Sequence, residues 1–330
     1  MPDTKFGILM GGTWTQGLPS GSELLSMAKG AEEAGYDSIH TSDHISSPPE
    51  GLAPSINAFP FLAAAAAVTE RVKLGPYPLA MPLYNASIVG SMMLSIHHIS
   101  NGRAIFCTAS GFGYPVELEA VNVALPERPM RNTEGMDLVA KLWTEDNVSF
   151  EGEFNKTTNL NMTLRKSVPN SIPTWVNGRH DSALRRAVSS GEAWAVPMVT
   201  PQEFAEKRPL VQQYAEESSR DLRSGFDWVV EVGFNMNADR GRAAAEAEAA
   251  VESRPDKQST TGQAPTEDLV GQAAALGSPE ECISKVREFV DSGATWIIAT
   301  PLCPLSGFQD QMLQFAKHVI PSFKAVKAGV

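Results

Sequence analysis

The chain has 330 residues, of which 42% are hydrophobic, so it can bury a sizeable core and does not resemble a disordered protein. Its 27 basic and 38 acidic side chains give a net charge of -11 without any block of Lys or Arg, which argues against nucleic acid as a partner. The longest apolar run, 58–68, is too short to cross a bilayer, and no basic stretch precedes an apolar one at the amino terminus, so we expect a soluble cytoplasmic protein without a membrane partner.

The first strand and the first helix are clearly delimited in the sequence. The apolar alternation of Lys5 to Met10 predicts a buried strand. Ser20 and Glu23 have the spacing of a capping box, which predicts the start of a helix. Gly35 is placed to end that helix in the left-handed conformation, and a second strand centred on 39–41 follows at once.

Two side chains that can bind a ligand or transfer a proton directly follow the second predicted strand. Asp43 and His44 stand in the loop where the strand ends. A βα-repeat protein places reactive groups at the carboxyl ends of its strands, so this pair is the first candidate site. The pair alone is a weak signal, because an Asp or His in such a loop also serves as a helix cap or a solvated turn.

The rest of the chain continues the alternation of strands and helices. The further predicted strands are 71–77, 103–108, 172–176, 193–197, 228–234 and 296–300. The further predicted helices are 55–69, 85–100, 129–143, 182–190, 201–217, 240–253, 278–293 and 308–325. Ser278 and Glu281 form a second capping box at the start of one of them.

The number and order of these elements predict the fold class. About eight strands, nearly all separated by helices, fit a closed parallel (β/α)8 TIM barrel. The alternative is an open doubly wound sheet, which usually carries a G-x-G-x-x-G turn after its first strand. The loop that begins at Gly11 does not match that pattern, so we favour the barrel.

Two segments depart from the alternation. Residues 144–170 lack helical periodicity and carry short β-like runs, so we expect an excursion from the barrel there. Residues 254–266 are polar and rich in Pro, Ser, Thr and Gly, which predicts a mobile loop. Neither segment is a low-complexity linker that would separate two domains, so we treat 1–330 as one domain.

The cysteines favour neither disulfide bonds nor a metal site. Cys107, Cys282 and Cys303 are far apart and odd in number. This spacing argues against a disulfide framework and against a cysteine-based metal centre. We predict no metal.

A set of sequence strings in a fixed order carries a family resemblance. The strings are AEEAGYDSIHTSDHI, TERVKLGP, HHISNGRAIF, RNTEGMDLVAKLW with VSFEGEF after it, IPTWVNG and GSPEECISKVREFVDSGATWIIATP. In order and spacing they resemble the bacterial luciferase-like flavin and deazaflavin oxidoreductase superfamily over nearly the whole chain. The resemblance implies a TIM barrel, usually dimeric, with FMN or coenzyme F420 across the carboxyl ends of its strands.

The resemblance favours coenzyme F420 over FMN as the cofactor. An Asp-His pair after the second strand is similar to the F420-dependent branch, which includes the methylenetetrahydromethanopterin reductases. On this basis Asp43 would hold the edge of the deazaflavin ring or orient its neighbour. His44 would supply or take the proton that accompanies hydride transfer, and the alternative is that it only bonds backbone at the barrel mouth.

The resemblance also implies cofactor contacts after the third and fourth strands. Tyr77 and Pro78 stand where the family places a bulge behind the ring, often with a cis peptide, and an X-Pro bond adopts cis more readily than any other. The alternative is a trans proline that ends the strand. Thr108, Ala109 and Ser110 follow the fourth strand, where relatives line the cofactor with small side chains.

Further implied contacts lie after the fifth strand and in two loops. Asn177, Gly178, Arg179 and His180 precede a helix beginning near Asp181, and this segment would receive the phosphate or tail of the cofactor. The alternative there is an Asp-capped helix with a solvated Arg. Trp14 would stack over the ring or the substrate, or else pack on the rim.

Two departures from the family pattern bear on the substrate. Phe112 stands where some F420 enzymes carry a carboxylate, so a sugar-phosphate dehydrogenase activity is not carried over; we place Phe112 with Trp14 at the substrate. The first strand ends in Leu9 and Met10 where methanopterin reductases carry an acid, so methanopterin is not carried over either.

Three functional hypotheses follow from these residues. The first is an F420-dependent oxidoreductase that moves a hydride between the deazaflavin and a small organic substrate. The second is an FMN-dependent luciferase-like monooxygenase that receives reduced flavin from a partner reductase. The third is a flavin-binding protein without catalysis. A homodimer is expected from the resemblance in each case.

Overall fold

The computed structural model describes residues 3–11, 17–45, 56–111, 115–168, 170–222, 225–254 and 265–324. Its strands are β1 Lys5–Leu9, β2 Ser38–Thr41, β3 Lys73–Pro76, β4 Leu79–Ala80, β5 Phe106–Ala109, β6 Val148–Glu151, β7 Lys156–Leu160, β8 Thr174–Asn177, β9 Ala193–Val196, β10 Asp227–Met236, β11 Ala275–Gly277 and β12 Trp296–Pro301. Its α-helices are α1 Gly21–Ala34, α2 Ala58–Val68, α3 Ala86–Ile99, α4 Pro115–Ala120, α5 Arg128–Thr144, α6 Asp181–Ser190, α7 Pro201–Glu217, α8 Arg240–Glu252, α9 Thr266–Ala273, α10 Pro279–Asp291 and α11 Leu305–His318. Short 3₁₀ turns cover Met81–Leu83, Leu125–Glu127, Thr163–Ser167 and Ile320–Phe323.

The main sheet is parallel and closes into a barrel. Its strand order is β3-β2-β1-β12-β10-β9-β8-β5, and β4 pairs with the carboxyl-terminal end of β5. The ring closes where Leu74 of β3 bridges Ala104 just before β5. Gly75 makes this close approach possible, because a Cβ there would lie 2.5 Å from the Ile105 carbonyl oxygen. The predicted TIM barrel is confirmed.

All eight predicted strands are present in the predicted order, and the predicted helix-end signals are confirmed. The capping boxes at Ser20 and Ser278 both form, and Gly35 adopts the left-handed conformation with φ 99°. Four of the described strands and α-helices were not predicted: β4, α4, α9 and β11. Each is eight residues or shorter, so it offers little periodicity to detect.

The two irregular segments have different outcomes. Residues 144–170 contain an antiparallel hairpin of β6 and β7, in line with the short β-like runs of this segment. Most of the predicted mobile loop, 255–264, lies outside the described residues. Its first residue, Arg254, is only 6% exposed, and its last, Thr266, begins α9, while the mobility of the loop stays a prediction.

The barrel interior is apolar and aromatic beneath its carboxyl-terminal mouth. Side chains from alternate positions of the strands form this core: Leu9, Tyr77, Ile105, Cys107, Trp175, Ala193, Ala195, Val229, Trp296 and Ile298. His40 of β2 lies among them, stacked on Trp175 with ring centroids 5.4 Å apart. Burial lowers the pKa of His40 to about 4, so this imidazole is neutral at physiological pH and acts as core.

None of the helices in the described ranges combines the length and apolar character that crossing a bilayer requires.

Cys107, Cys282 and Cys303 are buried free thiols. Burial raises the pKa of each thiol, so these cysteines are poor nucleophiles.

Replacing Arg103 with Met should destabilise the fold by about 3–5 kcal/mol. The buried guanidinium donates to the carbonyl oxygens of Ala66, Thr69, Val72 and Ser100 and to the Thr69 hydroxyl, at 2.7–3.0 Å. It thereby satisfies acceptors at the ends of α2 and α3, and Met would leave them buried without a donor. Urea unfolding measures the loss, with replacement of the exposed Arg287 on α10 by Met as the control. Equal losses in the two variants would contradict this account.

Candidate active site

The candidate site lies at the barrel mouth, where the loops after the strands converge. The Asp43 carboxylate is 1% exposed and the His44 side chain lies next to it in the loop after β2. β2 ends at Thr41, so both residues stand above the sheet and not beneath it. Asp43 and His44 therefore lie at the carboxyl-terminal mouth of the barrel.

Asp43 is held by a short polar chain. Its Oδ1 accepts a hydrogen bond from the Tyr84 hydroxyl at 2.9 Å and a longer one from the Ala58 amide at 3.5 Å. Tyr84 in turn accepts from the Asn57 side-chain amide at 2.9 Å. The other oxygen, Oδ2, is buried and has no hydrogen-bond partner among the described residues. The carboxyl group thus presents one oriented acceptor that the described part of the fold does not use.

Burial dominates the electrostatics of this acid. It raises the pKa of the Asp43 carboxyl from 3.8 to about 6, and the hydrogen bond from Tyr84 offsets this only in part. The same burial, together with the charge of Asp43, holds the pKa of Tyr84 well above its usual range. The phenol therefore stays a donor to Asp43 at every physiological pH.

Replacing Asp43 with Asn should change the pH dependence of stability. The folded state binds the Asp43 proton more tightly than the unfolded chain, so this group's contribution to stability is full below about pH 4 and is lost as pH rises through about 6. Between pH 4 and pH 7 the variant should therefore gain about 2 kcal/mol relative to the parent. Urea unfolding across this range tests it, with exposed Asp310→Asn as the control. A difference that does not vary with pH would contradict it.

A second carboxylate, which sequence analysis did not identify, faces His44. Glu117 of α4 accepts a hydrogen bond from the Ile45 amide at 2.8 Å through Oε1. Its Oε2 lies 3.5 Å from His44 Nδ1, and both side chains are buried. The six-residue helix α4 follows β5, so it carries this acid back to the loop after β2. No sequence spacing links positions 44 and 117.

The predicted residues of the third and fifth barrel strands lie at the floor of the mouth. The Tyr77–Pro78 peptide is cis, and the strand divides there into β3 and β4. Tyr77 is buried and donates its hydroxyl to the Val196 carbonyl at 2.9 Å. Asn177 ends β8 on the same inward face as Trp175, and its buried Nδ2 has no partner in the part of the chain described.

The Thr108 hydroxyl is used within the protein. It donates to the Asn132 side chain on α5 at 3.0 Å, while Ile105 and Cys107 pack into the barrel interior. A cofactor contact by Thr108 stays a prediction. Ala109, next in the strand, and Ser110 are half-buried at the rim.

The segment before α6 has a tight and uncapped start. Gly178 has φ 149°, and a Cβ there would lie 2.7 Å from the Ala183 Cβ. His180 is the N-cap, but its exposed side chain makes no capping bond, and Asp181 is bonded to Tyr214 and Arg185 instead. The alternative of an Asp-capped helix is therefore wrong. Among the described residues, no side chain accepts from the backbone donors of this first helical turn.

The Arg179 side chain is largely buried and contacts other residues of the protein. Its guanidinium donates to the Met198 carbonyl at 3.1 Å and lies 3.7 Å from a Glu203 oxygen. Its Nε is buried without a partner in the described ranges. The alternative of a solvated Arg is wrong, and one donor of this cation remains available beside the segment that precedes α6.

A buried ion pair at the mouth was also missed. Glu231 of β10 is 2% exposed, and its Oε1 accepts from Arg254 at 2.8 Å and from the Thr300 hydroxyl at 3.1 Å. Glu231 interrupts the apolar run of its strand, and this was a usable signal, because a charge inside a buried strand requires a partner. The two predicted substrate residues, Trp14 and Phe112, lie outside the described residues.

The unused polar atoms at the mouth fit a flavin-like ring. Such a ring carries both N–H and C=O groups on its edge, and the mouth offers the buried acceptor Asp43 Oδ2 and the buried donor Asn177 Nδ2. The uncapped start of α6 suits an anionic tail. Among the described side chains, no group of three or more His, Cys, Asp or Glu is arranged to hold a metal ion.

Comparisons with known proteins agree with this fold. A family model described as luciferase-like monooxygenase matches residues 4–295. The F420-dependent glucose-6-phosphate dehydrogenase of Nakamurella multipartita is 25% identical over 325 residues, covering 92% of this chain and 93% of that protein.

Solved structures share the whole architecture. An F420-dependent secondary alcohol dehydrogenase, solved with an F420-acetone adduct, has a TM-score of 0.82 at 18% identity and covers 98% of this chain and 100% of its own. Monooxygenase RslO1 from Streptomyces bottropensis has a TM-score of 0.79 at 20% identity and covers 97% of this chain and 99% of its own. At these identities the structural likeness establishes the barrel and not the activity.

Proposed function

Since the chain belongs to the luciferase-like monooxygenase family, we propose that it is an F420-dependent oxidoreductase that moves a hydride between the deazaflavin and a small organic substrate. Curated relatives that match over nearly their full length are named F420-dependent dehydrogenases, which supports this cofactor. The observation that carries the proposal is the buried, unused oxygen of Asp43 beside His44 at the barrel mouth.

Each group at the mouth would have a defined task toward the cofactor. Asp43 Oδ2 would accept from an N–H on the ring edge, and Asn177 Nδ2 would donate to a ring carbonyl. Ala109 and Ser110 would line the ring, with Tyr77 and Pro78 beneath it. The start of α6, from Gly178 to His180, would hold the anionic tail, with Arg179 beside it. Trp14 and Phe112 remain the proposed substrate contacts.

The reaction requires the protein to manage a proton and exclude water. Bound F420 would supply a ring carbon that accepts or gives a hydride, and the protein supplies the rest. When an alcohol is oxidised, His44 would take the hydroxyl proton as the hydride leaves, and it would return a proton in the reverse direction. Asp43 would orient the ring, and the buried mouth would keep water from competing.

Binding and turnover assays test this proposal. The purified protein should bind F420 and should reduce it with one of two alcohols, glucose 6-phosphate or 2-propanol, which represent the relatives' substrates. Asp43→Asn should lose at least tenfold in F420 affinity because a good hydrogen bond to a charged group is removed. Exposed Asp310→Asn should not.

The FMN monooxygenase is the rival outcome of the same assay. Tight binding of FMN with oxygen consumption, and no binding of F420, would overturn the proposal. Binding of either cofactor with no turnover on any substrate would instead favour the non-catalytic flavin-binding protein. A homodimer and a reductase partner remain predictions from the family resemblance, and light scattering of the purified protein tests the first.

A further inference from the structure

The carboxylate of Glu117 contacts two consecutive residues of the candidate site loop. Oε1 accepts from the Ile45 amide at 2.8 Å, and Oε2 lies 3.5 Å from His44 Nδ1. Glu117 is 4% exposed and His44 is 6% exposed, so water competes little for either group. The backbone bond fixes one oxygen, and this fixes the direction in which the other oxygen faces the imidazole.

This contact selects a tautomer of the imidazole. An ionised carboxylate can only accept hydrogen bonds, so a neutral His44 must carry its proton on Nδ1 to bond with Glu117. The ring's other nitrogen, Nε2, then has the lone pair and is the basic atom. The distance of 3.5 Å is long for such a bond, but catalytic hydrogen bonds often shorten when the ligand is in place.

The helix that carries Glu117 is itself anchored to the other half of the site. Leu118, the next residue of α4, packs with Ala80, Leu83 and Val123 in a small core cluster, and Tyr84 packs against the same cluster. Tyr84 is the residue that bonds Asp43. One platform thus supports both Asp43, through Tyr84, and His44, through Glu117.

We infer that Glu117 is a positioning residue that holds His44 in the Nδ1–H tautomer with Nε2 as the base of the reaction. The inference rests on the proposed function for the identity of the reaction, but the tautomer itself is a property of the protein without ligand. A carboxylate behind a histidine base performs this task in other enzymes, where its loss alters turnover more than binding.

Nitrogen-15 NMR of the ligand-free protein tests the tautomer directly. Histidine-labelled protein, with His44 assigned from the spectrum of His44→Asn, should show Nδ1 protonated and Nε2 unprotonated when the ring is neutral. In Glu117→Gln the amide can present an N–H to Nδ1, so the proton should move to Nε2. A wild-type His44 protonated on Nε2 would overturn the inference, even if the variant fails to fold.

Kinetics of the F420 reaction separate positioning from simple structural support. Glu117→Gln should lower kcat by about 10- to 100-fold, while KM and the Kd for F420 change less than about threefold. Glu119→Gln, an exposed acid on the same helix, is the matched control and should match the parent. Unchanged kcat in Glu117→Gln, or parallel losses of kcat, cofactor affinity and Tm, would overturn the inference.

The two readouts also distinguish this inference from the proposed function. A protein that binds and turns over no F420 would refute the proposed function, while the NMR spectrum would still report the tautomer. An active enzyme with His44 in the other tautomer would refute only the role of Glu117.

Discussion

Replacing His44 with Asn should lower kcat for F420 reduction by about 100- to 10,000-fold, since general acid-base catalysis contributes on that scale. Asn keeps much of the size and polarity of the imidazole, so the loop after β2 should keep its shape. The Kd for F420 should stay close to the parent value, because ring binding is assigned to Asp43 and Asn177. Steady-state kinetics and a fluorescence titration of F420 measure the two quantities.

The control for this experiment is His98→Asn. His98 is exposed in the last turn of α3, on the helical layer outside the barrel. Its replacement should leave kcat unchanged. If His44→Asn alters only F420 affinity, or leaves kcat within threefold of the parent, the protein binds its cofactor without using this imidazole, and the catalytic proposal fails.

Replacing Arg254 with Met should cost about 3–5 kcal/mol in the free energy of unfolding, because it leaves the Glu231 charge buried without its cation. The pair is almost fully buried, with side-chain exposures of 7% and 2%. Adding Glu231→Gln to this variant should restore much of the lost stability, since the amide can still accept from Thr300 without carrying a charge. Urea unfolding of the parent, both single variants and the double variant completes the cycle.

Arg185→Met provides the comparison for a solvated ion pair. Arg185 contacts Asp181 at 3.1 Å, but both side chains are more than half exposed, so its loss should change stability by less than about 1 kcal/mol. Equal destabilisation by Arg254→Met alone and by the double variant would show that the stranded charge is not the cause.

The fold was predictable because its signals are local. Capping boxes at Ser20 and Ser278 and the glycine at Gly35 mark helix ends within a few residues, and the structure has each as expected. The missed strand β11 has no such signal. Its three residues pair with the end of β10 only because β10 continues to Met236, past the predicted end at Phe234.

The site was predictable only where it follows the strand order. Asp43 was found because it follows β2, and any residue in that position reaches the mouth of a parallel barrel. The direction of the Thr108 side chain could not be predicted, because apolar or uncharged residues occupy both faces of β5 and alternation gives no direction. Glu117 approaches His44 across 73 positions of the chain, and only tertiary packing creates that contact.

Asn57 connects the start of a helix to the polarity of the site. Its side-chain oxygen accepts from the Phe59 amide at 3.2 Å and caps α2, while its nitrogen donates to Tyr84 at 2.9 Å. A substitution here that altered the environment of Asp43 would also fray the first turn of α2. Replacing Asn57 would therefore cost both helix stability and the hydrogen bond to Tyr84. We expect this position to vary less among related sequences than the surrounding loops.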